Sequence, residues 1–122
     1  MNLLEVADVM KRTNSALHRK ALERLDDCCP TSVYFIQCNG AWGPVKIGRT
    51  RDVKQRLASI QLHNPYPLSL LCLIPGGDIM ERAMHRRFER DRLNGEWFSP
   101  SRELIGFVND LNFLLEDMRK GT

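Results

Sequence analysis

Apolar positions recur at two periods along this chain, and the switches between them divide it into elements. Leu3, Val6, Ala7 and Met10, then Leu17, Ala21, Leu22 and Leu25, fall at helical spacing. "RTNS" interrupts the pattern, so residues 2–27 predict two short helices or one bent one. Cys29-Pro30-Thr31 ends the segment, because proline lacks an N–H and restricts the residue before it. "SVYFIQC" then reads as a strand, rich in β-branched and aromatic residues. "NGAWGP" reads as a turn and "VKIGR" as the returning strand, which makes residues 32–49 a hairpin. Asp52 is placed to cap the helix "VKQRLASIQL", whose apolar side is Val53, Leu57 and Ile60. "LSLLCLI" is a third strand, apolar on both faces and so expected to be central or covered. Asp78 stands before "IMERAMHRRFERDRL", which reads as a helix. "NGEWFSP" reads as a loop with room for a short extended piece. Ser99 and Pro100 open a last helix that sets Leu104, Ile105, Val108, Leu111, Leu114 and Leu115 on one face.

These elements predict an α+β fold: a small three-stranded, mainly antiparallel sheet flanked by helices, over residues 31–122. Residues 1–30 form a separate helical arm in this reading. "EVADVMKRTNSALHRKALERL" has the outline of a helix-turn-helix, without a third helix to complete it. The plainer reading is an arm, residues 1–27, that packs on the domain, on a second copy in a homo-oligomer or on a protein partner. A length of 122 residues suits one domain. No apolar run approaches the roughly 20 residues that cross a bilayer. Glu5 and Asp8 interrupt the apolar start, and no basic stretch precedes it, so it does not read as a signal peptide. Cys28, Cys29, Cys38 and Cys72 form no CxxC pair, which argues against a zinc site or a disulfide framework and for a reducing cytoplasm.

Charge changes the picture. The net charge is only +3, but residues 46–92 carry ten basic and five acidic side chains. Residues 1–45 balance, and residues 93–122 are acidic on balance. A basic middle suits either an anion-binding face or a solvated helix surface.

Four residues in that frame can carry chemistry. Tyr34 is in the first strand, with Ile36 and Cys38 on its face. Lys46 is in the second, with Gly48 on its face, while Val45 and Ile47 turn to the core. If the hairpin pairs residues of equal parity, for example Tyr34 with Lys46, the two side chains share a face. The ammonium would then draw the phenol's pKa down from about 10 to roughly 7–9 and make it a better base. Arg56 sits beside the apolar side of its helix, available to pair with Asp52 or to reach a phosphate. Glu81 follows Asp78 by three residues, the spacing of a capping box. It also shares a helix flank with His85, Phe88 and Arg92, where a carboxylate could hold Mg²⁺.

"VYFI", "VKIGRT", "QRLASIQ", "ERAMHRRF" and "GEWF", in this order, resemble the GIY-YIG endonuclease superfamily. The closest likeness is to its phage-associated branch, which includes the meiotically up-regulated-gene proteins. The resemblance covers about residues 32–108. It implies a metal-dependent endonuclease acting on DNA, with RNA as an alternative substrate, in the cytoplasm of a bacterium or a phage-infected cell. Tyr34 would be the general base, assisted by Lys46, and Arg56 would contact the scissile phosphate. Glu81 would hold a single Mg²⁺ or Mn²⁺. Gly48, Arg49, His85 and Arg92 would meet the substrate. Val33 replaces the first motif's glycine and Phe35 its final residue. The histidine many members carry after the arginine would fall at Ile60, which leaves that role empty or to His63 or His85. The late asparagine has no clear match, with Asn94 and Glu96 both nearby. Two other functions fit the same pattern: a nucleic-acid-binding module with weak or lost catalysis, and a protein-interaction module that uses the arm.

Overall fold

A computed structural model of the protein describes residues 4–5 and 31–120. The expected arm, with Cys28 and Cys29, therefore lies outside the described residues, apart from Leu4 and Glu5. The elements are β1 (Ser32–Cys38), β2 (Val45–Thr50), α1 (Val53–Leu62), β3 (Leu68–Pro75), α2 (Asp78–Arg87), β4 (Arg92–Asn94), β5 (Trp97–Phe98) and α3 (Arg102–Lys120). The α+β fold expected from the sequence forms, with a larger sheet. Five strands, all paired antiparallel, run in the order β3-β1-β2-β5-β4. The two added strands come from "RLN" and "WF", pieces too short to show a period of their own.

The strands' alternation sorts side chains onto two faces. Val33, Phe35, Val45, Ile47, Cys72 and Ile74 point into one core, closed by Met80, Ala83, Met84 and Phe88 and by Leu104, Phe107, Val108 and Leu111 of α3. Tyr34, Ile36, Cys38, Lys46 and Gly48 point the other way. Near this second face lies α1, whose Ser59, Ile60 and His63 share a cleft with Cys38 and Lys46. No residue of α1 is fully buried, so its contact with the sheet is light.

Of the two placements its apolar composition allowed, central or covered, β3 takes the second: it is an edge strand covered by α3. Its core-facing Cys72 and Ile74 are buried, while Ser69 and Leu70 are exposed. The register shifts between Phe35 and Ile36, which leaves Leu71 as the extra residue of a bulge. Asn112 Nδ2 donates to Leu71 O at 2.8 Å and satisfies the carbonyl there. Helix ends also moved. Asp52 caps α1 as expected, its Oδ1 accepting from Gln55 N–H at 3.1 Å. The cap of α2 is Gly77, not Asp78, and no side chain bonds it. Asp78 is the first helical residue, and its carboxylate pairs with Arg49 and Arg82 at 3.1 Å each. The same helix stops at Arg87 rather than running to Leu93, which puts Arg92 and Asn94 on β4. α3 begins after Ser101, whose Oγ accepts from Leu104 N–H at 3.1 Å, so neither Ser99 nor Pro100 starts it.

Candidate functional site

The hairpin pairs Tyr34 with Gly48 and Ile36 with Lys46. That is a slip of two residues from the pairing of Tyr34 with Lys46, and a slip of two preserves the face. Tyr34 and Lys46 therefore do share a face, as diagonal rather than direct neighbours. The direct neighbour, Gly48, has a steric role. A Cβ built there would run into Tyr34 Oη, come within 2.6 Å of Cζ and meet Glu96 Oε2 at 3.0 Å. The phenol lies across β2 at the one position with no side chain, and the Glu96 carboxylate lies beside it.

β2 has a partly open outer edge. β5 pairs with it only at Val45 and Lys46. At Ile47 the backbone finds other partners: its N–H donates to Glu96 O at 2.9 Å, and its carbonyl accepts from His85 Nε2 at 2.7 Å. A carbonyl only accepts, so the His85 proton is on Nε2. Its ring also packs on Phe98, 5.2 Å between centroids. His85, expected at the substrate, thus ties α2 to β2 through this nitrogen. No strand among the described residues continues the pairing beyond Ile47, which lets groups from both sides of the sheet gather near Gly48.

Those groups are visible in the electrostatics of Tyr34. The residue is only 2% exposed, and its phenol is pushed up to about 12, chiefly by burial. Glu96 and Glu81 also raise it, and Arg56 lowers it. Three charges from α1, α2 and the β4–β5 turn thus act on one hydroxyl. The direction is opposite to that expected from a tuning lysine, and the contacts of Lys46 explain why. Its Nζ sits 3.6 Å from Glu96 Oε2 and 5.3 Å from the centre of the Trp97 ring. The charge of Lys46 is engaged by that carboxylate and ring, while burial disfavours the phenolate.

Glu81 is the carboxylate from which a metal ligand was expected. Its side chain is 15% exposed, and Arg49 Nε is 4.0 Å from Oε2, too long for a hydrogen bond. With Asp78 not capping α2, the carboxylate is outside any capping box. Mg²⁺ takes one or two carboxylates, several waters and phosphate oxygens, which one such group suits. Among the described residues no three His, Cys, Asp or Glu gather as a ready-made ligand cage.

The other expected residues divide. Arg49, expected at the substrate, bridges Asp78 and Glu81 at the site's border. Arg92, also expected at the substrate, is held in its own hairpin: Nε donates to Glu89 at 3.0 Å, Nη1 to Gly95 O at 2.9 Å, and the guanidinium covers Phe98. It braces the β4–β5 hairpin. Asn94 is exposed and pairs with Trp97 in that hairpin. His63 ends α1 and lines the cleft with Lys46. Sequence reasoning gave Glu96 no firm role and passed over Trp97. Their one signal was the "GEW" turn, whose partner strand only the fold supplies.

The fold is thus an α+β module whose small antiparallel sheet carries a buried phenol under the influence of one guanidinium and two carboxylates. Residues 31–112 match the family model described as the T5orf172 domain, and the protein belongs to that family. The family is nuclease-associated and GIY-YIG-like, in keeping with the motif series above. No curated protein and no solved structure matches the chain. Among the described residues, no helix is long and apolar enough to cross a membrane.

One consequence is measurable without substrate. The folded state holds the Tyr34 proton up to about pH 12, whereas a free tyrosine releases it near pH 10. Between those values the unfolded chain binds fewer protons, so this group's contribution to stability is full below about pH 10 and is lost as pH rises through 12. In a tyrosinate absorbance titration, the signal that Tyr34→Phe removes is expected to have its midpoint near 12.

Proposed function

We propose that the protein is a metal-dependent endonuclease that hydrolyses DNA phosphodiester bonds at the face around Tyr34. One observation carries the reading: a single buried hydroxyl, lying over Gly48, feels Arg56, Glu81 and Glu96 from three separate elements. Hydrolysis needs a water held in line, charge stabilisation on the phosphoryl oxygens and a route for the water's proton. The water oxygen bonds to phosphorus as the bond to the leaving oxygen breaks. Tyr34 suits the first task as a neutral phenol that orients the water through its hydroxyl. It can accept the water's proton only as the phenolate, after its own proton has passed to solvent, an ionisation that nearby positive charge favours and that Arg56 already assists. The Arg56 guanidinium suits two parallel hydrogen bonds to phosphate oxygens. Glu81 suits one Mg²⁺ or Mn²⁺, which when bound would supply Lewis-acid charge neutralisation at the leaving oxygen.

A nicking assay on supercoiled plasmid tests this. Wild type is expected to cut in Mg²⁺ and not in EDTA, and Glu81→Gln to fall to background in both. Cutting by Glu81→Gln at the wild-type rate would remove Glu81 from the site.

The second reading is a nucleic-acid-binding module without cleavage. It is favoured by the raised phenol of Tyr34 and by the engagement of Lys46 with Glu96 and Trp97. Salt-sensitive DNA binding with no cutting at any metal concentration would establish it.

A further inference from the structure

The cleft between α1 and the sheet lies on the same sheet face as Tyr34, further along β1 and β2. It has a volume of about 410 Å³ and is lined by Cys38, Lys46, Ser59, His63, Asn64 and Trp97, among others. We propose that this cleft takes an unpaired nucleobase next to the phosphate that the Tyr34 site handles. The substrate class is then a single strand or a distorted duplex, rather than intact double helix. The inference rests on the nuclease-like reading of the neighbouring site for its choice of ligand.

Four observations carry it. The volume is that of a small-ligand pocket, within the roughly 300–1,000 Å³ usual for them. Trp97 gives it an indole wall, and that wall is fixed: β5 pairs Trp97 with Lys46, whose ammonium lies 5.3 Å from the ring centre. Any base can stack on an indole, since every base has a π-face. The polar lining suits a base edge and its linking phosphate. Asn64 Oδ1 is already taken by Cys38 Sγ–H at 3.3 Å and Tyr66 N–H at 3.1 Å, which leaves Nδ2 to donate to a base acceptor. The exposed His63 brings a donor for a phosphate oxygen. Position supplies the last argument. Lys46 is two residues from Gly48 on the same strand face, a separation of roughly 7 Å. A strand whose phosphate lies at Tyr34 can therefore set a neighbouring base at the cleft. In an intact duplex that base stays stacked and paired, and extruding it costs free energy that an unpaired base does not incur.

The test measures binding in EDTA, where cleavage plays no part. Three fluorescently labelled probes of one sequence are compared on the full chain: single strand, duplex, and a single strand carrying abasic positions. Wild type is expected to bind the base-bearing strand roughly tenfold to a hundredfold more tightly than the abasic one. Trp97→Ala is expected to erase that difference and Trp97→Phe, which keeps a ring, to retain most of it. The abasic comparison uses only the wild-type chain, so it stands even if Trp97→Ala fails to fold. Equal affinity for base-bearing and abasic strands, or unchanged discrimination in a folded Trp97→Ala, would overturn the proposal. Failure of the nuclease reading is seen separately: base-dependent binding would persist while the plasmid stays uncut in Mg²⁺.

Discussion

Gly48→Ala is expected to lower the unfolding free energy by about 1–3 kcal/mol and to bring plasmid nicking to background. The new methyl would occupy the space held by Tyr34 Oη and Cζ, with Glu96 Oε2 at 3.0 Å. Tyr34 cannot move cheaply, because its ring is 2% exposed and packed between β2 and its neighbours. Either the ring turns off its rotamer or β2 shifts from β1, and both displace the hydroxyl from Arg56 and Glu81. Urea unfolding read by circular dichroism measures the first effect and the nicking assay the second. Full retention of both would show that the phenol does not lie across Gly48.

The second large effect is at Arg56. Arg56→Ala is expected to slow nicking by roughly 10²–10³-fold, the scale for removing one preorganised donor from a phosphoryl or acyl oxyanion. Stability should move by no more than about 0.5 kcal/mol, because the side chain is exposed on a lightly packed helix. The same substitution should raise the Tyr34 midpoint in the tyrosinate titration, since Arg56 is the group that lowers it. Arg56→Lys keeps the charge and loses the planar fork, so it should hold the Tyr34 midpoint better than it holds the nicking rate. Nicking at the wild-type rate in Arg56→Ala would remove Arg56 from the phosphate. Together the two substitutions separate a defect in packing from a defect in chemistry.

Much of the sheet was legible because a strand's period is two. "VKIG" declares that Val45 and Ile47 face the core and Lys46 and Gly48 do not, whereas "VYFI" is apolar on both faces, so the side taken by Tyr34 waited on the register. The pairing itself was not legible. The connection uses a 3-10 turn over Gly40–Trp42 and a left-handed Asn39 (φ 62°), which place Gly48, not Lys46, opposite Tyr34. The edge position of β3 was hidden for a related reason. An apolar strand looks the same whether another strand or the side of a helix such as α3 protects it.

The site followed the same division. Tyr34, Arg56 and Glu81 stand out by residue type and by their places on a strand and two helices. Glu96 and Trp97 do not, because β4 and β5 are too short to carry a periodic signal. Their importance comes from pairing with Lys46, a contact between segments some fifty residues apart in sequence. His85 and Arg92 show the opposite case, residues whose protein partners the sequence does not reveal. Both look like substrate contacts by type, yet one bonds Ile47 O and the other braces its own hairpin.

By itself the sequence determined the α+β class, the two faces of the second strand and the basic middle of the chain. Each of these depends on local spacing or composition, which the chain carries in its own order. Tertiary structure decided the hairpin register, the fourth and fifth strands and the sign of the change at Tyr34. Burial and the Glu96 carboxylate raise that phenol, while the one nearby ammonium is held by Glu96 and Trp97. Desolvation and through-space charge depend on what surrounds a group once the chain has folded, and no spacing along the chain encodes either.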